Sequence, residues 1–286
     1  MEPQLQRRIQ RYGWDLAATL YEPLWRDQLA PAQAELMACA GLKPGERVLD
    51  VACGTGIIAL GAAAGVSPGG EVVGIDLSGR MIGVAQRRAM QAQCTNASFE
   101  RMDAERLQLP DDSFDVALCA LGLMYMPSPE RALLEMRRVL RPDGRLILAV
   151  WGERSRCGWA ELFPIVDAEV SSDVCPLFFR LGQGEALAQA CSDAGLRITA
   201  HSRVAATLVY SDDDQACDAA FVGGPVALAW SRLDEAARDR ARVRYLESIA
   251  PWRREDHSYR IPGEFVIVAA SVSDRTAASP DPRPTR

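Results

Sequence analysis

Between residues 48 and 151, short apolar runs alternate with longer segments of helical period. VLDV at 48–51 is too short for a helix and predicts a first strand. The Ala-rich stretch 57–65 predicts a helix stopped by Gly65. VVGID at 72–76 predicts a second strand, and GRMIGVAQRRAMQAQ repeats its apolar positions at helical spacing. SFERMDA at 98–104 predicts a weaker third strand, and 111–121 carries a fourth. SPERALLEMRRVL predicts a helix, RPDG a turn, and RLILAVW at 145–151 a fifth strand. Such alternation with short loops predicts right-handed crossovers and a parallel sheet covered on both faces.

Outside that stretch the rhythm changes. Residues 1–40 predict helix: RRIQRYGWDLAATLYEPLW first, then PAQAELMACAGL with Gly41 as the stop. CGWAELFPIVDAEV and GEALAQACSDAGL predict helices, and RITAHSRVAATLVY predicts a long strand. DDDQACDAAFVGGPVALAW and LDEAARDRARVRYLESI predict two more helices, and RIPGEFVIVAASV a last strand. The end, TAASPDPRPTR, has too little apolar content to pack, so 276–286 is expected to be a disordered tail.

Composition narrows the classes. The chain has 286 residues, 48% hydrophobic and 24% charged, enough for one large domain or two small ones. A net charge of −6 and a pI near 5.2 argue against a nucleic-acid partner. No run reaches the roughly 18–20 apolar residues of a membrane span, and the N-terminus lacks the apolar centre of a signal peptide. The eight cysteines show no C-x-x-C spacing, which favours reduced thiols and a cytoplasmic protein. The two histidines, His201 and His257, are too few and too far apart for a metal cluster, so no metal is expected.

The candidate chemistry lies where VLDV ends in Ala52-Cys53-Gly54-Thr55-Gly56. Glycines after a parallel strand let backbone approach a ligand, and the next helix presents free N–H groups. Asp50 stands just before this turn. Asp76 ends the second strand, placed to accept hydrogen bonds from both hydroxyls of a ribose. Asp103-Ala104-Glu105 follows the third. The glycine turn and Asp76 also suit a nicotinamide dinucleotide, so these residues alone leave that alternative open.

VLDVACGTG, VVGIDLSGRMIGVA, MDAERLQLPDDSFD and EMRRVLRPDGRL occur in order over roughly a hundred residues. This ordered set resembles the class I S-adenosylmethionine-dependent methyltransferases, nearest the ubiquinone/menaquinone C-methylase-like small-molecule branch. Ala52 replaces a more usual glycine. The resemblance implies a Rossmann-like, doubly wound α/β fold with a seven-stranded, mostly parallel sheet. Its last strand would run antiparallel beside strand five.

The resemblance also implies roles. Asp50 and the turn Ala52, Cys53, Gly54, Thr55 and Gly56 would hold the methionine part of S-adenosylmethionine. Asp76 would take the ribose, Leu77 and Met81 would flank the adenine, and Asp103 and Ala104 would meet its edge. Cys119 and Ala120 would touch the amino-acid part. The aromatics Trp14, Tyr21 and Trp25 would belong to a lid formed by residues 1–40, with Tyr21 beside the sulfonium. A lid insertion over about 212–256 would complete it, within a methyltransferase domain spanning 41–275. Tyr21, Trp25, Met124 and Tyr125 are the candidate acceptor contacts. A histidine common in relatives after strand four is replaced here by LGLMYMPSP, so no catalytic base is assigned.

The expected function is methyl transfer to a small aromatic, quinone-like or secondary-metabolite acceptor. The alternatives are a nicotinamide-dependent oxidoreductase and a non-catalytic S-adenosylmethionine-binding protein.

Overall fold

The computed structural model describes residues 2–170, 175 and 177–272. The tail expected at 276–286 lies outside the described residues. The chain opens with α1 (Pro3–Ala17) and α2 (Tyr21–Ala40), the latter closed by Gly41 in a left-handed conformation. The helix break falls at 18–20, not before Pro31 as the sequence suggests, and Pro31 sits exposed inside α2. Trp25, Leu29, Ala32, Leu36 and Ala40 form a buried stripe at three- and four-residue spacing through that proline. Burial of this face outweighs the local cost of proline.

The alternating core follows: β1 (Arg47–Val51), α3 (Ile57–Gly65), β2 (Glu71–Asp76), α4 (Gly79–Gln91), β3 (Ala97–Arg101) and β4 (Phe114–Ala120). It continues through α5 (Pro129–Val139) and β5 (Leu140–Trp151). The predicted RPDG turn is absorbed into β5 as an irregularity: Phe114 pairs with Leu140, whereas Val116 pairs with Arg145. Asp143 takes a φ of 63° there. The third strand stops at Arg101, and residues 102–104, expected as strand, leave the sheet.

The C-terminal part comprises α6 (Leu162–Val170), α7 (Ala186–Asp193), β6 (Leu196–Tyr210), α8 (Asp213–Phe221), α9 (Ala227–Arg232), α10 (Glu235–Ile249) and β7 (Tyr259–Val272). The single helix predicted over 212–230 is therefore two, separated at Gly223-Gly224.

The sheet has seven strands in the order β3-β2-β1-β4-β5-β7-β6. β1 to β5 pair in parallel, and β7 runs antiparallel between β5 and β6. Val48, Leu49, Phe114, Ile147 and Val268 are fully buried. α3 and α4 pack against β1–β3, while α2 crosses β4, β5, β7 and β6. Strand order reverses between β1 and β4, so the crevice beyond their carboxyl ends is where an open α/β sheet takes its ligand.

Candidate active site

At the end of β1, Ala52 and Gly54 both adopt left-handed backbone, with φ of 56° and 54°. This doubling-back exposes the Gly54 backbone: a Cβ there would meet no atom within 4 Å. The Gly54 N–H donates to Asp76 Oδ2 at 3.0 Å, and the Ser78 N–H donates to Asp76 Oδ1 at 2.8 Å. The ends of β1 and β2 are thereby tied through one carboxylate. Burial pushes the Asp76 carboxyl up to about 6, although both N–H donors favour the ionised form.

An open cleft with about 770 Å³ of empty space, part of it continuous with solvent, lies beyond these strand ends. Ala52, Gly54, Asp76, Leu77, Met81, Asp103, Ala104 and Ala120 line it, together with Tyr21 and Tyr125. That size and mixed polarity suit a ligand as large as a nucleoside joined to an amino acid. α1 adds Arg7, Gln10 and Trp14 to the wall. Arg7 Nη1 donates to the buried Glu105 at 2.6 Å, and its Nε lies 3.6 Å from Asp103. Asp15 accepts from the Ser78 hydroxyl at 2.6 Å, fixing α1 to the start of α4.

Six other candidates lie off the cavity wall. Asp50 is fully buried beneath the turn, and neither carboxylate oxygen has a hydrogen-bond partner. Burial first, then the charge of Asp76, pushes it up to about 8. The Ala59 N–H opposes this only weakly, without hydrogen-bond geometry. Cys53 and Thr55 do not line the cleft and are buried. Arg88 reaches the Thr55 carbonyl at 3.1 Å. Gly56 has a packing reason to be glycine: a Cβ would lie 3.0 Å from Ala85 and 3.1 Å from Phe99. Cys119 is fully buried within β4, and burial pushes its thiol up to about 12. Met124 is buried and borders neither this cleft nor the adjoining one.

The adjoining cavity is narrow and is lined by Trp25, Trp151, Trp159, Leu162 and Phe178, with Gly224 and Pro225 from the segment between α8 and α9. Trp14, Tyr21, Leu121 and Tyr125 wall both cavities. Trp14 meets Tyr21 edge-on at 5.7 Å and Tyr125 at 5.1 Å. Burial, aided by the Asp76 charge, raises the Tyr21 hydroxyl pKa, and burial also raises that of Tyr125. Leu121 carries a φ of 62° at the end of β4, a conformation costly for leucine and commonest at functional sites. No carboxylate, histidine, lysine or arginine lines this second cavity among the described residues. Sequence reasoning missed Arg7, Glu105, Leu121, Trp151 and Trp159. Glu105 sits inside MDAERLQLPDDSFD, and Leu121 and Trp151 end predicted strands, but nothing local marks any of the five as lining a cavity; only the fold does.

A family model described as a methyltransferase domain matches residues 42–172. An uncharacterised protein of Mycobacterium tuberculosis is 36% identical over 131 residues, covering 46% of each chain. The ubiquinone/menaquinone biosynthesis C-methyltransferase of Ectopseudomonas mendocina is 43% identical over 110 residues, covering 38% of this chain and 43% of that one. The chain thus spans less than half the length of these relatives. A candidate methyltransferase of Bacillus halodurans superposes with a TM-score of 0.61 at 19% identity, over 84% of this chain and 98% of that one; it supports the fold alone. No described helix is long and apolar enough to cross a membrane. The sheet order, the tied ends of β1 and β2 and the matched segment agree: over residues 42–172 this chain carries a class I S-adenosylmethionine-dependent methyltransferase domain.

Proposed function

We propose that the protein transfers a methyl group from S-adenosylmethionine to a small organic acceptor held in the aromatic cavity. The observation that carries this reading is the shared wall: Trp14, Tyr21, Leu121 and Tyr125 border both cavities. A ligand filling the first space would present its reactive end to the second.

The residues divide the work. Asp76 keeps acceptor capacity on both oxygens beyond its two backbone donors, so it takes the ribose hydroxyls. Ala52 and Gly54 offer backbone to the amino-acid part, with Ala120 opposite. Leu77 and Met81 flank the adenine, and Asp103 and Ala104 read its edge. S-adenosylmethionine supplies a methyl group already activated on a positive sulfur. Tyr21 and Trp14 offer aromatic faces to that charge. Trp25 and Tyr125 shape the acceptor space and exclude water. Of residues 1–40, α1 acts as the lid together with the helices of 212–256, while α2 packs on the sheet as part of the core. With their pKa values raised, the two tyrosines stay neutral and donate hydrogen bonds instead of removing protons. Positioning is then the main contribution of the protein, and the acceptor must be nucleophilic without a base.

Calorimetry with two ligands tests the reading. S-adenosylhomocysteine should bind and NADH should not. Binding of NADH in preference would replace it with the oxidoreductase alternative.

A further inference from the structure

Resting on that reading, the aromatic cavity also carries information about its occupant. Trp159 stands in its wall, 3% exposed, yet its Nε1–H has no hydrogen-bond partner. The neighbouring Trp25 differs, because its Nε1–H donates to the Ala219 carbonyl at 3.2 Å. The Trp159 ring is held from several sides. Trp151 packs at 4.7 Å, Phe178 edge-on at 5.6 Å and Phe163 at 5.9 Å. Such a ring cannot turn cheaply to find a partner elsewhere, and a buried donor left unmade costs stability. An acceptor atom of a ligand in the cavity that this residue lines would satisfy it.

The rest of the wall limits what that ligand is. The lining is aromatic and aliphatic, with no charged side chain among the described residues. The cavity wall itself supplies no counter-ion to a charged acceptor. We propose that Trp159 is a specificity-determining residue, whose Nε1–H donates to an oxygen of an uncharged aromatic acceptor. The ring edge and its N–H set the orientation of the acceptor, while Tyr21 and Tyr125 set its distance from the cofactor cleft.

Two probes of one shape test this: acetophenone, and α-methylstyrene, in which a CH₂ replaces the carbonyl oxygen. Each is titrated by calorimetry with and without saturating S-adenosylhomocysteine. The unaltered protein should prefer acetophenone. Trp159→Phe keeps the ring and removes the donor, so acetophenone should lose about five- to tenfold in affinity while α-methylstyrene changes little. Equal loss for both probes would make Trp159 packing alone and overturn the proposal. So would an unaltered protein that shows no preference for the carbonyl, or no acetophenone binding at millimolar concentration. The preference in the unaltered protein decides the matter even if the variant folds poorly. Failure of S-adenosylhomocysteine to bind would instead count against the methyl-transfer reading, and the probe titration without it still judges Trp159.

Discussion

The Asp76 carboxylate accepts the Gly54 backbone N–H at 3.0 Å, so the acid ending β2 holds the turn ending β1. The same group therefore shapes the cleft and offers it a charge. Two ribose hydroxyls donating to it are worth about 1.5–3 kcal/mol each. Asp76→Ala should weaken S-adenosylhomocysteine binding at least tenfold by calorimetry; unchanged affinity would remove Asp76 from the site. The pH dependence has two signs. The folded pKa lies above the ordinary 3.8, so the stability contributed by the protonated form is lost as pH rises from about 4 to about 6. Ligand affinity should move oppositely, falling as pH drops below about 6, because a protonated carboxyl accepts hydroxyls less well.

Asp50 gives a sharper stability test. Its folded pKa, near 8, is raised by burial, and its oxygens have no hydrogen-bond partners. It favours the folded state when protonated, and that contribution is lost as pH rises from about 4 to about 8. Asp50→Asn keeps the shape without the ionisation. The variant should melt higher than the parent at pH 8 and show a flatter melting profile between pH 4 and 8. Asp76 and the thiols of Cys53 and Cys119 share this electrostatic environment, so the profile is to be compared with that of Asp76→Ala. A variant that melts lower at pH 8 would show that the charge has a partner and stabilises the fold.

The two glycines of the turn should separate cleanly. A side chain at Gly54 projects into open space and needs a left-handed backbone. Gly54→Val should abolish S-adenosylhomocysteine binding, with a fold cost near the 1–2 kcal/mol of that conformation. Gly56→Val drives a branched side chain against Ala85 and Phe99 and should lower the melting temperature more. If Gly54→Val binds normally, the cradle is elsewhere.

These differences show what was legible beforehand. Strands buried on both faces read as unbroken apolar runs, which is why β1, β2, β4 and β5 stand out in VLDV, VVGID, DVALCAL and RLILAVW. The antiparallel placing of β7 beside β5 rested on resemblance, because its unbroken apolar run FVIVAASV reads like a strand buried on both faces. The glycine motif is contiguous in sequence, but of its five residues only Ala52 and Gly54 line the cleft. Cys53, Thr55 and Gly56 had the right address but are buried in the packing behind the turn. Arg7 and Trp159 lie far in sequence from the motif and reach the cavities only because α1 and the segment before α6 fold over the strand ends.

The attachment of α1 is a further point of attack. Few of its side chains are buried, and its polar ties are Arg7 to Glu105 and Asp15 to Ser78. α2 belongs to the core through Trp25, Leu29 and Leu36. Deleting residues 2–17 should therefore lower the melting temperature modestly yet weaken S-adenosylhomocysteine binding severalfold. Arg7→Ala, at 27% exposure of the Arg7 side chain, should reproduce a smaller part of that loss. Undiminished affinity after the deletion would show that α1 is packing and no part of a lid.

Tyr21 allows the charge preference of the site to be read without knowing the acceptor. It lies on the wall shared by both cavities, edge-on to Trp14 and close enough to Asp76 to feel its charge. S-adenosylmethionine and S-adenosylhomocysteine differ only at the sulfur, which is methylated and positive in one and an unmethylated, neutral thioether in the other. An aromatic face contributes about 0.5–2 kcal/mol to holding such a cation, depending on desolvation. Removing the ring should cost the sulfonium ligand that amount and leave the neutral ligand nearly untouched. Tyr21→Leu should thus lower the ratio of the two affinities about three- to tenfold by calorimetry. Tyr21→Phe keeps the face and should preserve the ratio. If Tyr21→Phe instead lowers it as far as Tyr21→Leu, the hydroxyl oxygen meets the sulfur. If neither variant changes it, Tyr21 faces the acceptor alone, and the positive charge is held by the carboxylate of Asp76 at longer range.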